Sequence, residues 1–495
     1  MPLGTPGRTE GADGGATIAR VRFYDTLTRS VRDFTPHEPG RVTMYTCGPT
    51  VYRPVHIGNL RTFIAADLLR RALELEGLAV RKVMNITDVG HMTDDSQEEG
   101  GEDKMQLASE DEGLSPAEIA EKYTAAFHRD AGSVNILPAT AYPKATEHIA
   151  EMVELTDTLM RRGHAYEVDG MVYFDVDSFP TYGALSNNTV DQLAAGHRAL
   201  TPGGGVDPKK RRHYDFTLWR AAGPRRLMKW ASPWGEGYPG WHIECSAMSL
   251  KHLGEHVDVH TGGADLVFPH HEDEIAQSEG ATGHQVVGAW SHAYHLLSEG
   301  RKMAKSAGNF HVLADLVQRG ADPLAFRYLA LQTRYREPTN FTWEALAAAD
   351  RGLERYRKQM AEWFAGPVAV PPAGSPAGWS AAAAKLDRQF REAVADDLNT
   401  PRALSVVAEL GPAAIEPGEK YRLLTSWDSF LGLDLGRDVT TRDQLPPGAS
   451  EKIEARERAR GDRDWASADR IRAELAELGI EVIDTPQGTR WLVAR

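Results

Sequence analysis

Cysteine is almost absent from this chain, because only Cys47 and Cys245 occur among its 495 residues. Two cysteines so far apart exclude a disulfide-rich secreted fold and favour a reducing compartment, so we expect a cytoplasmic protein. No apolar run approaches the roughly 20 residues that a membrane span needs, so we expect no membrane partner. Residues 1–17 contain much Gly, Thr and Pro without an apolar stretch, which is typical of a disordered tail.

Basic residues are outnumbered as well, with 56 Lys and Arg against 70 Asp and Glu, and the formal net charge is −14. Such a charge counts against a general nucleic-acid binder, whose affinity comes from neutralising phosphates. Short basic runs at 209–212, 225–226 and 452–463 leave a local binding surface open, although solvated faces explain them equally well. The length predicts about two to four domains with ample core.

The first part of the chain has the pattern of a nucleotide-binding fold. Arg41–Tyr52 alternates β-branched and aromatic residues before Gly48-Pro49, which predicts a strand followed by a loop. Apolar residues at helical spacing predict a helix over Leu60–Leu73, and 80–87 is a second predicted strand. Strand, glycine loop, helix and strand in this order open a doubly wound α/β domain.

Later segments complete this α/β fold class. Strand character returns near 257–260 and 289–297, on either side of a helix predicted to start near Pro269. We predict a disordered tail over 1–17, a split Rossmann-type catalytic domain over 18–335 with an insertion at about 112–210, a helical region over 336–363, a Pro-rich linker over 364–379, a helical bundle over 380–440 and a small terminal unit over 445–495.

His56-Ile-Gly-Asn59 precedes the first predicted helix. A helix N-terminus presents free N–H groups to phosphate, and Gly58 would let an adenosine approach the backbone. His56 can donate to phosphate oxygens as their negative charge grows in a transition state. For these four residues alone, a helix-capping histidine or a chance match is the better explanation.

Lys302-Met-Ala-Lys-Ser306 places two lysines in a loop between Gly300 and Gly308. Lysine side chains can neutralise a departing pyrophosphate, although lysine-rich loops are usually only solvated. Together and in this order, the two motifs resemble the paired signatures of class I aminoacyl-tRNA synthetases. Asn59 stands where the first signature has a second histidine, and Ala304 where the second signature has a serine.

Longer motifs narrow the resemblance to the cysteinyl-tRNA synthetase family, from about residue 20 to the C-terminus. They are Thr46-Cys-Gly-Pro-Thr-Val-Tyr52, Gly240-Trp-His-Ile-Glu-Cys-Ser-Ala-Met248, Phe268-Pro-His-His-Glu-Asp-Glu274, Asp397-Leu-Asn-Thr-Pro401 and Asp484-Thr-Pro-Gln-Gly-Thr-Arg-Trp491. The resemblance implies that this chain activates cysteine with ATP, with Mg²⁺ on the phosphates, and charges tRNA(Cys) as a monomer.

A zinc ion lies at the bottom of the amino-acid pocket in that family. The motifs imply one Zn²⁺ per chain, bound by Cys47, Cys245, His270 and Glu274. His270 and Glu274 would share one helix face if the helix begins at Pro269. Two apolar buried cysteines and a core histidine are the alternative. Because a thiolate binds zinc better than a hydroxyl, the ion would separate cysteine from serine.

The resemblance also assigns the other site residues. The expected catalytic residues are His56, Asn59, Lys302 and Lys305; the expected ATP-binding residues are Gly58, Gly262, Gly263, Asp265 and Lys305; and the expected substrate-binding residues are Thr87 and Trp241. Asp265 would accept a hydrogen bond from a ribose hydroxyl, although a helix-capping Asp is the ordinary alternative. The regions 336–363, 380–440 and 445–495 would contact the tRNA stem, the tRNA body and the anticodon.

Two other functions stay open. A paralogue could transfer activated cysteine to a small amine, but such relatives lack the anticodon region that 445–495 resembles. A tRNA-binding protein without catalysis would not need the nucleotide motifs and the four possible metal ligands.

Three features depart from the family pattern. Residues 90–103 form an acidic insertion of unknown role, in which His91, Asp94 and Asp95 suggest either a second metal or a solvated loop. Tyr238 stands where an arginine is usual, and Thr261 where a glycine is common.

Overall fold

A computed structural model describes residues 21–91, 103–188, 192, 207–303, 309–364, 378–437, 445–485 and 488–493. The predicted tail over 1–17 lies outside these residues. So do most of the acidic insertion, most of the linker, and Lys305.

The described strands are β1 Arg22–Asp25, β2 Ser30–Asp33, β3 Arg41–Thr46, β4 Ala79–Met84, β5 Ala165–Val168, β6 Met171–Phe174, β7 Phe216–Ala221, β8 Trp230–Ser232, β9 Gly235–Pro239, β10 Val259–Gly263, β11 Trp290–Ala293, β12 Leu296–Ser298, β13 Arg301–Lys302, β14 Thr339–Phe341, β15 Ile480–Thr485 and β16 Gly488–Val493. The described α-helices are α1 Ile57–Leu75, α2 Lys104–Glu112, α3 Pro116–Ser133, α4 Ile149–Arg161, α5 Trp241–Leu253, α6 Glu272–Thr282, α7 Leu313–Gln318, α8 Pro323–Leu331, α9 Trp343–Trp363, α10 Ala381–Ala395, α11 Thr400–Leu410, α12 Pro417–Leu431, α13 Ala449–Gly461 and α14 Trp465–Glu477.

The central sheet is parallel, with strand order β11–β10–β3–β4. Its inner strands are buried, as expected for a sheet covered by helices on both faces. The helix predicted over Leu60–Leu73 is present as α1 and begins earlier, at Ile57, because His56 provides its N-cap. The sequence pattern therefore predicts this part of the fold well.

The insertion contains a five-stranded antiparallel sheet in the order β5–β6–β7–β9–β8. This sheet begins within the predicted insertion over about 112–210 and continues to Pro239. The sequence pattern hides β9, because Gly235-Glu-Gly-Tyr-Pro239 has no alternation of apolar and polar residues. A Cβ on Gly237 would lie 2.2 Å from the carbonyl oxygen of Arg220, so close pairing with β7 requires a glycine there.

The helix predicted to start near Pro269 is regular from Glu272 as α6, after a wide turn over Val267–His271 that is interrupted at Phe268. Backbone angles at Phe268 are extended, so a continuous helix cannot include that residue. His270 consequently lies in the wide turn and Glu274 in the first turn of α6. The two side chains still meet, with 3.0 Å between His270 Nε2 and Glu274 Oε1.

The C-terminal half is helical. Helices α10, α11 and α12 pack on the core that also contains α1 and α8. Helices α13 and α14 and the β15–β16 hairpin surround a small core of Ile453, Leu475, Ile480 and Val482. An ion pair of 3.0 Å joins Lys358 Nζ on α9 to Glu481 Oε1 on β15. Within the described residues, no helix combines the length and the apolar character that crossing a membrane requires.

Candidate active site

The carboxyl edge of the central sheet collects most of the predicted site residues. Strands β3 and β10 are parallel neighbours, so Cys47 after β3 and Gly262–Gly263 at the end of β10 lie side by side. The backbone N–H of Cys47 donates to the carbonyl of Thr261 at 3.2 Å. Helix α1 begins here with His56. Open α/β sheets bind their ligands at this edge.

Four buried side chains meet at this edge. The Sγ atoms of Cys47 and Cys245 are 3.7 Å apart, and Cys47 Sγ lies 3.5 Å from Glu274 Oε1. With His270, their ligand atoms all lie within 4.8 Å of one another. A tetrahedral ion with zinc–sulfur bonds of about 2.3 Å would separate two sulfurs by about 3.8 Å. The donor types and the spacing therefore fit zinc, and we call these four residues the metal-type cluster.

Burial controls the electrostatics of the metal-type cluster. Burial raises the pKa of Glu274 well above its ordinary value, and a hydrogen bond from Cys47 opposes this only in part. Burial, aided by Cys245 and Glu274, also raises the pKa of the Cys47 thiol. Buried anions of this kind are stable only with a cation or with protons. A divalent metal would replace those protons.

Neighbouring histidines surround the metal-type cluster, and sequence reasoning did not single them out. His260 Nε2 and His271 Nε2 lie 3.3 and 3.2 Å from Cys47 Sγ, and His271 Nδ1 lies 2.7 Å from His292 Nε2. Burial lowers the pKa of His260 and His271 well below the ordinary value, so both are neutral. Cys47, His260, His271 and Glu274 form a second possible metal-binding set. Two sequence features could have indicated these histidines: the adjacent pair His270-His271, and a histidine within a predicted strand.

His56 and Asn59 cap α1 reciprocally. His56 Nδ1 accepts from the backbone N–H of Asn59 at 3.2 Å, and Asn59 Oδ1 accepts from the backbone N–H of His56 at 3.2 Å. Burial and nearby Arg53 lower the pKa of His56 to about 4, against the opposing effect of Asp265. Neutral His56 with Nδ1 as acceptor carries its proton on Nε2. The imidazole is thus held by the backbone of Asn59, whereas among the described residues the Asn59 side chain hydrogen bonds only to the His56 backbone.

Two of the predicted ATP-binding glycines are close-packed. A Cβ on Gly262 would lie 2.5 Å from His271 Cε1, and one on Gly263 would lie 2.3 Å from Asp265 Oδ1. Asp265 is exposed at this edge and near enough to raise the pKa of His56. Gly58 follows in the first turn of α1. Gly58 and Asp265 therefore lie close to His56, Gly263 packs against Asp265, and the ATP-binding roles of these residues stay predictions.

The two predicted substrate-binding residues follow β4 and begin α5, and one of them contacts the metal-type cluster. Thr87 is buried after β4, and its Oγ1 accepts from Asn85 Nδ2 at 3.0 Å. Trp241 begins α5, and its ring centroid is 4.7 Å from that of His270. Trp241 therefore contacts a residue of the metal-type cluster, and the substrate-binding roles of Thr87 and Trp241 stay predictions.

The second nucleotide motif is only partly described. Lys302 lies on β13, where its backbone pairs with Leu297 of β12. Strand β12 also pairs in parallel with β14. Lys305 lies outside the described residues, so its predicted catalytic and ATP-binding roles stay predictions.

The fold and this site define a class I aminoacyl-tRNA synthetase. The family model described as "tRNA synthetases class I (C) catalytic domain" matches residues 33–351. Models described as "DALR domain" and "Cysteinyl-tRNA ligase anticodon binding domain" match residues 389–414 and 442–491. The chain belongs to the cysteine–tRNA ligase family.

Its relatives match over nearly their whole length. The cysteine–tRNA ligase of Thermus thermophilus is 45% identical over 486 residues, which cover 96% of this chain and 99% of that protein. Cysteine–tRNA ligase 1 of Burkholderia lata is 45% identical, and the match covers 95% of this chain and 96% of that protein.

Solved structures share the fold at low identity. Methionyl-tRNA synthetase of Mycobacterium tuberculosis, in complex with methionyl-adenylate, has a TM-score of 0.52 at 16% identity, covering 86% of this chain and 96% of its own. A LeuRS–tRNA–LeuAMS complex from Agrobacterium radiobacter has a TM-score of 0.55 at 12% identity, and the match covers 82% of this chain and 86% of that chain.

Proposed function

We propose that this protein activates L-cysteine with ATP to cysteinyl-adenylate and then transfers the cysteinyl group to a terminal ribose hydroxyl of tRNA(Cys). The metal-type cluster is the observation that carries the proposal. Its two thiols, imidazole and carboxylate are buried together at the ligand-binding edge of a nucleotide-binding sheet.

One Zn²⁺ would be held by Cys47, Cys245, His270 and Glu274. This set is favoured over the second possible set because it offers two sulfur ligands, whereas the second set offers one. When bound, zinc supplies a soft acceptor that prefers the substrate thiolate to a serine hydroxyl. Hydrophobic packing alone discriminates such similar substrates poorly. Thr87 and Trp241 would form the pocket walls around the rest of the amino acid.

The activation step needs orientation and charge stabilisation more than a general base, because the substrate carboxylate is already the nucleophile. Its oxygen attacks the α-phosphorus of ATP, and pyrophosphate leaves. Neutral His56 would donate its Nε2–H to phosphate oxygens, and Asn59 holds the imidazole through the capping box. Lys302 and Lys305, with Mg²⁺, would neutralise the departing pyrophosphate.

ATP would bind with its adenosine against Gly58, Gly262 and Gly263. The N-terminus of α1 favours phosphate there, because the helix dipole places a partial positive charge at that end. Exposed Asp265 would accept a hydrogen bond from a ribose hydroxyl.

The C-terminal regions would bind tRNA, with 336–363 at the stem, 380–440 on the body and 445–495 at the anticodon. Helix α13 ends with Arg458 and Arg460, which pair with Glu454 and Asp484 and could exchange these partners for phosphates. A ligase of this kind would work as a monomer in the cytoplasm, where tRNA is charged. The match of 442–491 to an anticodon-binding model counts against the small-amine alternative, which has no supporting observation.

The test is charging of tRNA(Cys) by the purified, zinc-loaded protein with labelled cysteine, with labelled serine as control. We expect cysteine-dependent, serine-independent charging. Activation of cysteine without any charging of tRNA(Cys) would support the small-amine alternative instead. Binding of tRNA without activation would indicate a protein that has lost catalysis.

A further inference from the structure

Arg53 is a half-buried arginine in the loop between β3 and α1, three residues before His56. Its guanidinium carbon lies 5.0 Å from the ring centroid of Tyr52 and 5.0 Å from that of Phe310. Such cation–π contacts hold a guanidinium in place without using up its N–H donors. Among the residues that the structure describes, its side chain has no carboxylate or carbonyl partner. Its N–H donors are therefore available to a ligand.

Phe310 connects Arg53 to both nucleotide motifs. Its ring centroid lies 5.2 Å from that of His56, in an edge-to-face arrangement. Phe310 also follows closely after the lysine motif, which ends at Ser306. The backbone of His56 bridges to that of Val312, so the chain after the lysine motif runs alongside the start of α1. Arg53 therefore lies where the two motifs meet, which is where the phosphates of ATP are expected.

The charges around Arg53 favour an anion. The N-terminus of α1 carries the positive end of the helix dipole, and the first turn of α1 contains no acidic residue. Arg53 adds a full positive charge, which acts with burial to lower the pKa of His56. Asp265 opposes that shift, but it is exposed and forms no ion pair with Arg53 in the described part of the chain. A bound polyphosphate would supply the negative charge that this end of the helix lacks.

We propose that Arg53 is a further catalytic residue of the activation step and that its guanidinium binds the β- and γ-phosphates of ATP. The substrate carboxylate attacks the α-phosphorus, the bond from that phosphorus to the bridging oxygen breaks, and its electron pair leaves with the pyrophosphate. Arg53 neutralises this growing charge through a bidentate contact, alongside Lys302 and Lys305. This role deepens the proposed function and rests on it, because it concerns how the same site binds ATP.

The test compares the wild-type full chain with Arg53→Met and Arg53→Lys. Methionine keeps an unbranched side chain without the charge, and lysine keeps the charge without the forked donors. Arg319→Met is the matched control, because Arg319 also lies over an aromatic ring, 3.8 Å from the centroid of Trp343, and belongs to no predicted site. The measurements are KM for ATP and for cysteine in pyrophosphate exchange, bound zinc and the melting temperature. Calorimetry adds Kd for ATP, for pyrophosphate with Mg²⁺, and for a cysteinyl-adenylate analogue in which a sulfamoyl group replaces the phosphate.

We expect Arg53→Met to raise KM for ATP and Kd for pyrophosphate about 10-fold, as for a lost hydrogen bond between charged groups. KM for cysteine, Kd for the adenylate analogue and bound zinc should stay within about 2-fold of the wild-type values, because none of them involves the β- and γ-phosphates. Arg53→Lys should lie between the wild type and Arg53→Met. Arg319→Met should leave all of these values unchanged.

Three results would overturn the proposal: unchanged affinity for ATP and pyrophosphate in Arg53→Met, equal losses for pyrophosphate and the adenylate analogue, or a lysine variant that is no better than the methionine variant. If Arg53→Met does not fold, Arg53→Lys decides, because only a loss that is larger for pyrophosphate than for the analogue supports the proposal. If the wild-type protein shows no cysteine-dependent exchange, the proposed function fails, while calorimetry of ATP and pyrophosphate still judges the role of Arg53 separately. A wild-type protein that binds neither would overturn this role as well.

Discussion

Two clusters of buried polar side chains lie on the same nucleotide-binding fold and differ in how their charges are balanced. In the metal-type cluster, burial raises the pKa values of Glu274 and Cys47. In the second, which we call the arginine cluster, Asp67 on α1 meets Arg71 and Arg327 at 2.7 Å each. There burial would raise the pKa of Asp67, but Arg327, Arg71 and Lys82 lower it below its ordinary value.

The arginine cluster is complete within the protein. Arg327 also donates to the carbonyls of Leu431 and Val134, and Asp67 accepts from the backbone N–H of Leu137. It therefore joins the helix that starts at His56 to the C-terminal helices. The metal-type cluster instead groups two thiols and a carboxylate with one imidazole, and no Lys or Arg belongs to it. A buried cluster whose charges are balanced by other side chains stabilises the fold. A buried cluster whose charges need an added cation indicates a ligand site.

Removing one ligand of the metal-type cluster should have the largest effect. We expect Cys245→Ser to lose zinc and to lower cysteine-dependent pyrophosphate exchange by at least about 100-fold, since even residues that only support ligands cost 10–100-fold. Bound zinc and exchange rate are measured on the same preparation. Full activity with a serine at this position would exclude a role for the second thiolate.

The corresponding change in the arginine cluster should affect stability. Arg327→Met leaves Asp67 with less compensation and several carbonyls unpaired, so we expect a loss of about 3–5 kcal/mol in the free energy of unfolding. Urea unfolding measures it. The control is Arg161→Met, because Arg161 is 66% exposed and pairs with Asp157 at the surface, where no resolvable change is expected. A loss below about 1 kcal/mol would mean that the cluster contributes little.

Sequence reasoning found the metal-type cluster and missed the arginine cluster, for a physical reason. The metal-type cluster is built from Cys47, Cys245, His270 and Glu274. Cysteine and histidine within such motifs are rarely explained by packing alone, so the motifs indicate a function. Aspartate and arginine are residue types that usually lie on the surface. Asp67 and Arg327 are buried only because α1 packs against α8. Arg327 otherwise donates to backbone carbonyls, and Asp67 accepts from a backbone N–H, and such backbone partners leave no trace in the sequence.

The limits of the fold prediction have a similar cause. The pattern around β3 and α1 is local and regular, and both were predicted. The extension of the antiparallel sheet to Pro239 depends on pairing between β7 and β9, which are separated by a loop and another strand. The start of α6 at Glu272 depends on the wide turn before it. Neither long-range pairing nor a wide turn has a periodic signal.

The pH dependence of the arginine cluster gives a finer test. We expect Asp67→Asn to cost about 2 kcal/mol at pH 7, because it removes the charge and keeps the shape. Since the folded pKa of Asp67 lies below the ordinary value of 3.8, its stabilisation is present above that pH and is lost as the pH falls through the folded pKa. Urea unfolding from pH 7 to about 3 should show the difference between the two proteins shrinking only below about pH 4. A difference that shrinks already near pH 6 would contradict the pairing.

Lys82 should show the smallest effect, because the arginine cluster already has two guanidinium partners for Asp67. Lys82 is fully buried, and its Nζ has no hydrogen-bond partner among the described residues. We expect Lys82→Met to change the free energy of unfolding at pH 7 by less than about 1 kcal/mol, since the desolvation cost and the attraction to Asp67 nearly cancel. A loss as large as that of Arg327→Met would make the ammonium a necessary counter-charge.

The same variant also tests the sign of the Lys82 titration. Burial, only partly opposed by Asp67, lowers the pKa of Lys82 to about 8 from an ordinary 10.5. The unfolded chain therefore holds more protons between those values, and the wild-type protein should gain stability over the Met variant as the pH rises through that interval. Unfolding at pH 7 and at about pH 10 measures this gain. Identical pH profiles would mean that the ammonium keeps its proton when buried, and that Asp67 pairs with three cations instead of two.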